Sequence, residues 1–136
     1  MVEITARYEG NLRCAVTHGP SGATILTDAP KDNHGEGAAF SPTDLVAAAL
    51  PACMMTIMGI VAKRHGLELK GMTATATKEM ATAPARRIGR VVTRIRVPLP
   101  ASHPQREMLE NAAHTCPVHK SLLAEIDAPI EFEWVG

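Results

Sequence analysis

With 136 residues, 46% of them apolar, the chain is long enough to bury a core without disulfide staples, and one domain over 1–136 is expected. Fourteen Lys and Arg balance fourteen Asp and Glu, so no long-range field gathers nucleic acid or an anionic membrane surface. The aromatic residues, Tyr8, Phe40, Phe132 and Trp134, are too few for the stacking platform of a single-strand binder.

The first residues, Met1 to Thr5, alternate polar with apolar and lack the basic start and apolar run of a signal peptide, which points to the cytoplasm. Val2, Ile4, Ala6 and Tyr8 alternate with polar neighbours, as do Leu12, Cys14 and Val16, the period of half-buried strands joined at Glu9-Gly10-Asn11. A turn at Gly19-Pro20-Ser21-Gly22 leads to a third strand, Ala23 to Thr27, followed by a long polar loop from Asp28 to Phe40.

Ser41-Pro42-Thr43-Asp44 announces a helix: Ser41 caps, Pro42 suits the first helical position and Asp44 sits where a capping-box acid reaches back. From Leu45 to Ala62 there is no charge, a length close to a bilayer span, but Pro51, Cys53, Thr56 and Gly59 interrupt it and favour a buried core helix with no membrane role. Leu45, Ala49, Cys53, Ile57 and Val61 recur every four residues as its expected apolar stripe, ending near His65-Gly66. Pro51 removes a backbone donor, so a kink or a break into two segments is expected there.

Strands are expected from Lys70 to Glu79 and from Ile88 to Val97, the second with Val91, Ile95 and Val97 on one face and Arg90, Arg94 and Arg96 on the other. A helix follows from Ser102-His103-Pro104 to about His114, a short one from Cys116-Pro117 to Leu123, and a closing strand holds Ile130, Phe132 and Trp134. Strands, helix, strands, helices and strand in that order predict an α+β fold with an antiparallel sheet.

Three cysteines are an odd number, so a structural disulfide set is not expected, and any pair that forms is catalytic or redox-sensing in character. If the helix restarts after Pro51, Cys53 lies in a first turn whose unpaired N–H groups favour thiolate; Cys116, capping a helix that begins at Pro117, has the same kind of setting. Both can equally be small buried hydrophobes, and Cys14, on the Leu12 and Val16 face of a strand, is expected to be core.

The run from Phe40 through Ser41-Pro42-Thr43-Asp44-Leu45 and the alanine-rich stretch to Cys53 resembles the first cysteine motif of the OsmC/Ohr family, and Cys116-Pro117-Val118-His119-Lys120-Ser121 resembles its second. The resemblance covers nearly the whole chain. It implies antiparallel sheets wrapped around a long central helix, an intertwined homodimer that exchanges its N-terminal strands, and a thiol peroxidase. Cys53 is then peroxidatic and Cys116 resolving, with an organic hydroperoxide as substrate, a dithiol as reductant and no cofactor. In the hydroperoxide-resistance branch a Glu stands where this chain has Thr43.

Asp44 is either a capping residue near the site or the group that orients a catalytic Arg. The resemblance places that Arg in the N-terminal strands; Arg13 is the candidate and Arg7 its competitor, with an exposed sheet Arg the plain alternative. Arg90, Arg94 and Arg96 read as a solvated face, and Met54, Met55 and Met58 either line an apolar pocket or fill core. His114 and His119 flank Cys116, but without a Cys-x-x-Cys or His-x-x-x-His pair no metal is expected. The other function considered is an OsmC-like protein that holds a small apolar or thiol-bearing ligand, or senses redox state, without turnover.

Overall fold

The computed structural model describes the whole chain, Met1–Gly136, as an α+β protein whose residues gather into two compact units, 1–46 and 47–136.

In the first unit, β1 (Ile4–Gly10), β2 (Arg13–His18) and β3 (Thr24–Asp28) form an antiparallel sheet in that order. The β1–β2 turn carries three successive left-handed residues, Gly10, Asn11 and Leu12, at φ 85, 54 and 63°. Leu12 therefore leaves the strand to which its alternation assigned it, and its amide donates to the Tyr8 hydroxyl at 3.3 Å. Opposed residues share a face, so Ile4, Ala6, Tyr8, Cys14, Val16 and Ile25 line one side while Arg7, Arg13, Leu26 and Asp28 line the other. Apart from Thr27 and Asp28 at the end of β3, both sides stay open. Ile4 and Leu26 are each 61% exposed and Cys14 is only half-buried, against the expectation of a core position.

The 29–40 loop turns back on itself around a short 3-10 turn, Lys31–Asn33. Gly37 N–H donates to the Ala29 carbonyl at 3.1 Å, and Ala38 N–H to Asp28 Oδ2 at 2.8 Å. A Cβ on Gly35 would lie 1.8 Å from the Ala29 carbonyl oxygen, so only glycine fits this crossing.

Helix α1 (Pro42–Arg64) starts as expected. The Ser41 amide donates to Asp44 Oδ2 at 2.9 Å while the Asp44 amide donates to Ser41 Oγ at 3.1 Å, a reciprocal capping box. It ends at Gly66, φ 70°, where the Leu67 amide reaches back to the Ala62 carbonyl at 2.9 Å.

Of the kink or break expected at Pro51, the break does not occur, and the apolar stripe expected for α1 is not its buried face. The helix runs unbroken through Pro51, and its buried face is Ala47, Leu50, Met54, Met58 and Ala62 rather than the stripe containing Cys53. An interior proline costs about 3 kcal/mol. Full burial of a Leu or Met side chain returns roughly 1.5–3 kcal/mol. Leu50, Met54 and Met58, all 0% exposed, together outweigh the proline and hold the helix continuous. Because α1 is apolar all round, periodicity could not say which face turns inward. Its length and composition would fit a bilayer; here the inner face is core, and Val46 and Ile60 on other faces are exposed.

The second unit packs that inner face against a sheet of β4 (Thr73–Ala81), β5 (Arg87–Val97) and β6 (Ile130–Trp134), with Leu109, Ala112 and Ala113 of α2 (Arg106–Ala113) closing the core. β4 and β5 pair antiparallel, but β6 runs parallel to β5, with Ile95 opposite Phe132 and Val97 opposite Trp134. This departs from the all-antiparallel expectation. The physical reason is the connection: α2 and α3 (Pro117–Lys120) form a crossover long enough to return the chain to the start of its neighbour, which a hairpin cannot do.

On the outer face, Arg94 pairs with Glu131 at 2.6 Å, Arg96 with Glu133 at 3.8 Å, and Arg90 with Asp127 at 3.5 Å. The solvated face expected for these arginines is a neutralised ladder. A shallow cavity of about 400 Å³ lies among these pairs, lined by Arg94, Arg96, Glu131 and Glu133 but by no thiol or histidine.

Candidate functional site

Cys116 is the N-cap of α3, as the Cys-Pro pair predicts: Pro117 takes the first helical position and the His119 amide donates to Cys116 Sγ at 3.4 Å. The side chain is 0% exposed and belongs to the same core as Leu109 and Ala113. Cys53 approaches from the middle of α1, half-buried at the edge of that core, and its thiol shares a hydrogen bond with Cys116. Fold and crossover thus bring together two thiols that lie far apart in the chain.

The electrostatics of Cys116 are set by its burial. Burial, then the hydrogen bond and charge interaction with Cys53, push the Cys116 thiol above its ordinary value; the N–H groups of His119 and Val118 oppose this and lose. Of the two settings weighed for Cys116, a thiolate at a helix start or a small buried hydrophobe, the second holds, because desolvation outweighs two backbone donors and keeps the sulfur a thiol. Nor does Cys53 lie in a first helical turn, since the continuous helix places it where each amide N–H is committed to the carbonyl four residues before. Two thiols in this contact can be joined by a two-electron oxidation.

The histidine rings have other partners. His119 Nε2 donates to the Ala128 carbonyl at 3.1 Å, which ties α3 to the segment entering β6, and His114 stacks edge-on against Phe132 with ring centroids 6.2 Å apart.

In the first unit, Arg13 stands opposite Asp28 in the β2–β3 register; its Nε lies 3.6 Å from Asp28 Oδ1 and its Nη2 pairs with Glu36. Asp28 is 1% exposed and Glu36 lies in the open. Arg7 meets only the exposed Glu9. Of the two candidates, Arg13 is the one held by a buried carboxylate. Sequence reasoning missed Asp28, although the strand register pairs it with Arg13; the signal was an acid at the last position of β3, read only as the start of a loop. Asp44 is used in the α1 cap, and Thr43 Oγ1 lies 3.2 Å from Ser41 Oγ in the same turn.

The model of the OsmC-like protein family matches residues 35–131, a span that includes both cysteine motifs. The chain belongs to the OsmC-like family. Among solved structures, a Psychrobacter arcticus 273-4 protein, provisionally named an osmotic stress induced and detoxification response protein, is 40% identical with a TM-score of 0.90, covering 97% of this chain and 96% of its own. A Legionella pneumophila protein named organic hydroperoxide resistance protein OsmC is 20% identical with a TM-score of 0.76, covering 98% and 96% of the two chains. OhrB of Bacillus subtilis, an organic hydroperoxide resistance protein, is 21% identical with a TM-score of 0.69 and 98% coverage of each chain. The last two share the OsmC-like fold. No curated protein matches the chain.

Proposed function

We propose that this OsmC-like protein is a two-cysteine thiol peroxidase that reduces organic hydroperoxides in the cytoplasm. The observation that carries the reading is the contact between the half-buried Cys53 and the fully buried Cys116. In the reaction the Cys53 thiolate attacks the distal peroxide oxygen, the O–O bond breaks, and the alkoxide leaves and takes up a proton. Cys53 becomes a sulfenic acid; Cys116 condenses with it, water leaves, and a disulfide remains for an external dithiol to reduce. Burial keeps Cys116 protonated and out of competition for the peroxide, and its proton leaves in the water released when the disulfide forms.

Arg13 is the proposed cation for the thiolate and the leaving oxygen, with Asp44 holding the start of α1. A homodimer is part of the proposal, supported by the open apolar residues Ile4, Ile25, Leu26 and Ile60, which a second copy would cover. The hydroperoxide-resistance names of the Legionella and Bacillus relatives support the substrate class.

One observation favours ligand holding or redox sensing without turnover: Cys53 sits in the helix interior, with no free backbone donor of α1 to hold a thiolate. The deciding measurement is consumption of cumene hydroperoxide by pure reduced protein with a dithiol. Turnover abolished by Cys53→Ser, with Cys116→Ser arrested as the sulfenic acid, is the expected result. No turnover and unoxidised thiols would replace the peroxidase with the non-catalytic reading.

A further inference from the structure

We propose that the groove between the C-terminal half of α1 and the chain entering β4 binds a single-chain aliphatic carboxylate, at a site separate from the two cysteines.

The groove is a cavity of about 410 Å³, within the size range of small-molecule pockets. On one side Met55, Gly59 and Lys63 follow at four-residue steps and form one stripe of α1. The other side is the connection from α1 to β4, which contributes Leu67, Leu69, Lys70 and Met72. Met55 lies two residues beyond Cys53, about 200° round the helix, so this stripe faces away from the thiol. No cysteine lines the cavity.

The floor is aliphatic. Met55, Leu67 and Met72 are half-buried against the core, Leu69 is buried, and no aromatic ring is in the lining. Unbranched methionines mould to a flexible chain, whereas an aromatic ligand would find no ring to stack on. Gly59 keeps the floor open. Glycine in a helix interior is less stable than alanine, and no positive φ requires it here. A Cβ on Gly59 would meet nothing within 4 Å, so close packing does not require it either. What the missing side chain leaves is room between Met55 and Lys63.

Charge then selects the head group. Lys63 and Lys70 both line the groove, and neither ammonium has an ion-pair partner. The one acid in the lining, Glu68, turns its Oε1 to the Lys70 backbone amide at 2.8 Å. Two cations against one anion leave a single positive charge, which complements a monoanionic carboxylate; a phosphate dianion would exceed it and be repelled by Glu68. Lys63 also lies in the last turn of α1, where a cation complements the helix carbonyls, but Arg64 fills that role without lining the cavity.

The test titrates the full-length reduced protein with decanoate, and with decanol as the uncharged probe, by calorimetry and by NMR of carbon-13-labelled methionine methyl groups. The expected result is one decanoate per chain, bound roughly tenfold tighter than decanol, because two exposed ion pairs each contribute a few-fold. The methyl signals of Met55 and Met72 are expected to shift while those of Met80 and Met108, outside the cavity, do not. Lys63→Gln combined with Lys70→Gln is expected to remove that preference for decanoate. Gly59→Leu, which fills the groove without burdening the helix, is expected to weaken both probes about tenfold or more. No decanoate binding, equal affinity for decanol, shifts confined to other methionines, or unchanged affinity in the variants each overturns the site. A Gly59→Leu protein whose sedimentation changes instead would show the groove to be covered by a second copy, and overturns it too. The hydroperoxide assay of Cys53 is independent of every one of these outcomes.

Discussion

The two sheets are built from similar strands and end in opposite states. In the β4–β5–β6 sheet, Val91, Ile95 and Val97 are at most 1% exposed because α1 and α2 lie on that face. In the β1–β2–β3 sheet, Ile4, Tyr8, Ile25 and Leu26 are each about half exposed or more, although their alternation reads as well as that of β5. Alternation says which residues of a strand share a face. It does not say whether anything covers that face, which depends on an element elsewhere in the chain or on another copy of it.

The comparison is broken most directly at its buried end. Met54→Ala removes a fully buried side chain from the α1 face and is expected to lower unfolding stability by about 2–5 kcal/mol, read by chemical denaturation. A loss under 1 kcal/mol would mean that α1 is not the support of the second sheet.

Asp28 is the charged exception in the open sheet. Asp28→Ala leaves the Ala38 amide without its acceptor and strips Arg13 of its buried partner. Because Arg13 is 40% exposed and water receives its freed charge, the expected cost is only about 1–3 kcal/mol. In hydrogen exchange the protection lost is expected to cluster in the 29–40 loop.

Leu26→Thr sharpens the comparison from the exposed side. On an isolated chain such a surface change is worth about 0.5 kcal/mol or less. The proposed dimer predicts more, about 1 kcal/mol, together with a melting temperature that depends on protein concentration and a weaker association in sedimentation. Equal stability and an unchanged sedimentation profile would remove the second copy from the account.

The smallest effect is that of pH on Cys116. Its folded pKa lies above the unfolded value, so the stability that this thiol contributes is fully present below the ordinary thiol value, about 8.5. It is then lost as pH rises through the higher folded value. The wild type is therefore expected to lose more stability between neutral and alkaline pH than Cys116→Ser, which has no thiol to ionise and keeps an oxygen to cap α3. Parallel curves for the two proteins would show that burial of Cys116 does not bias its protonation.

Much of this molecule is written in short stretches of sequence. Ser41 and Asp44 specify the start of α1, Gly66 its end, and the Cys116-Pro117 pair the start of α3, because a cap is decided by donors and acceptors within four residues of one another. The two cysteine motifs, in order, likewise carry the family. Tertiary structure decided what depends on the summed energy of distant contacts. Leu50, Met54 and Met58 carried α1 through Pro51 and turned Cys53 out of the first turn foreseen for it. The crossover through α2 and α3 made β6 parallel, and the β2–β3 register set Asp28 against Arg13. Packing of α3 against the core brought Cys116 to Cys53 and, by removing water, made it a thiol where local signals alone favoured a thiolate.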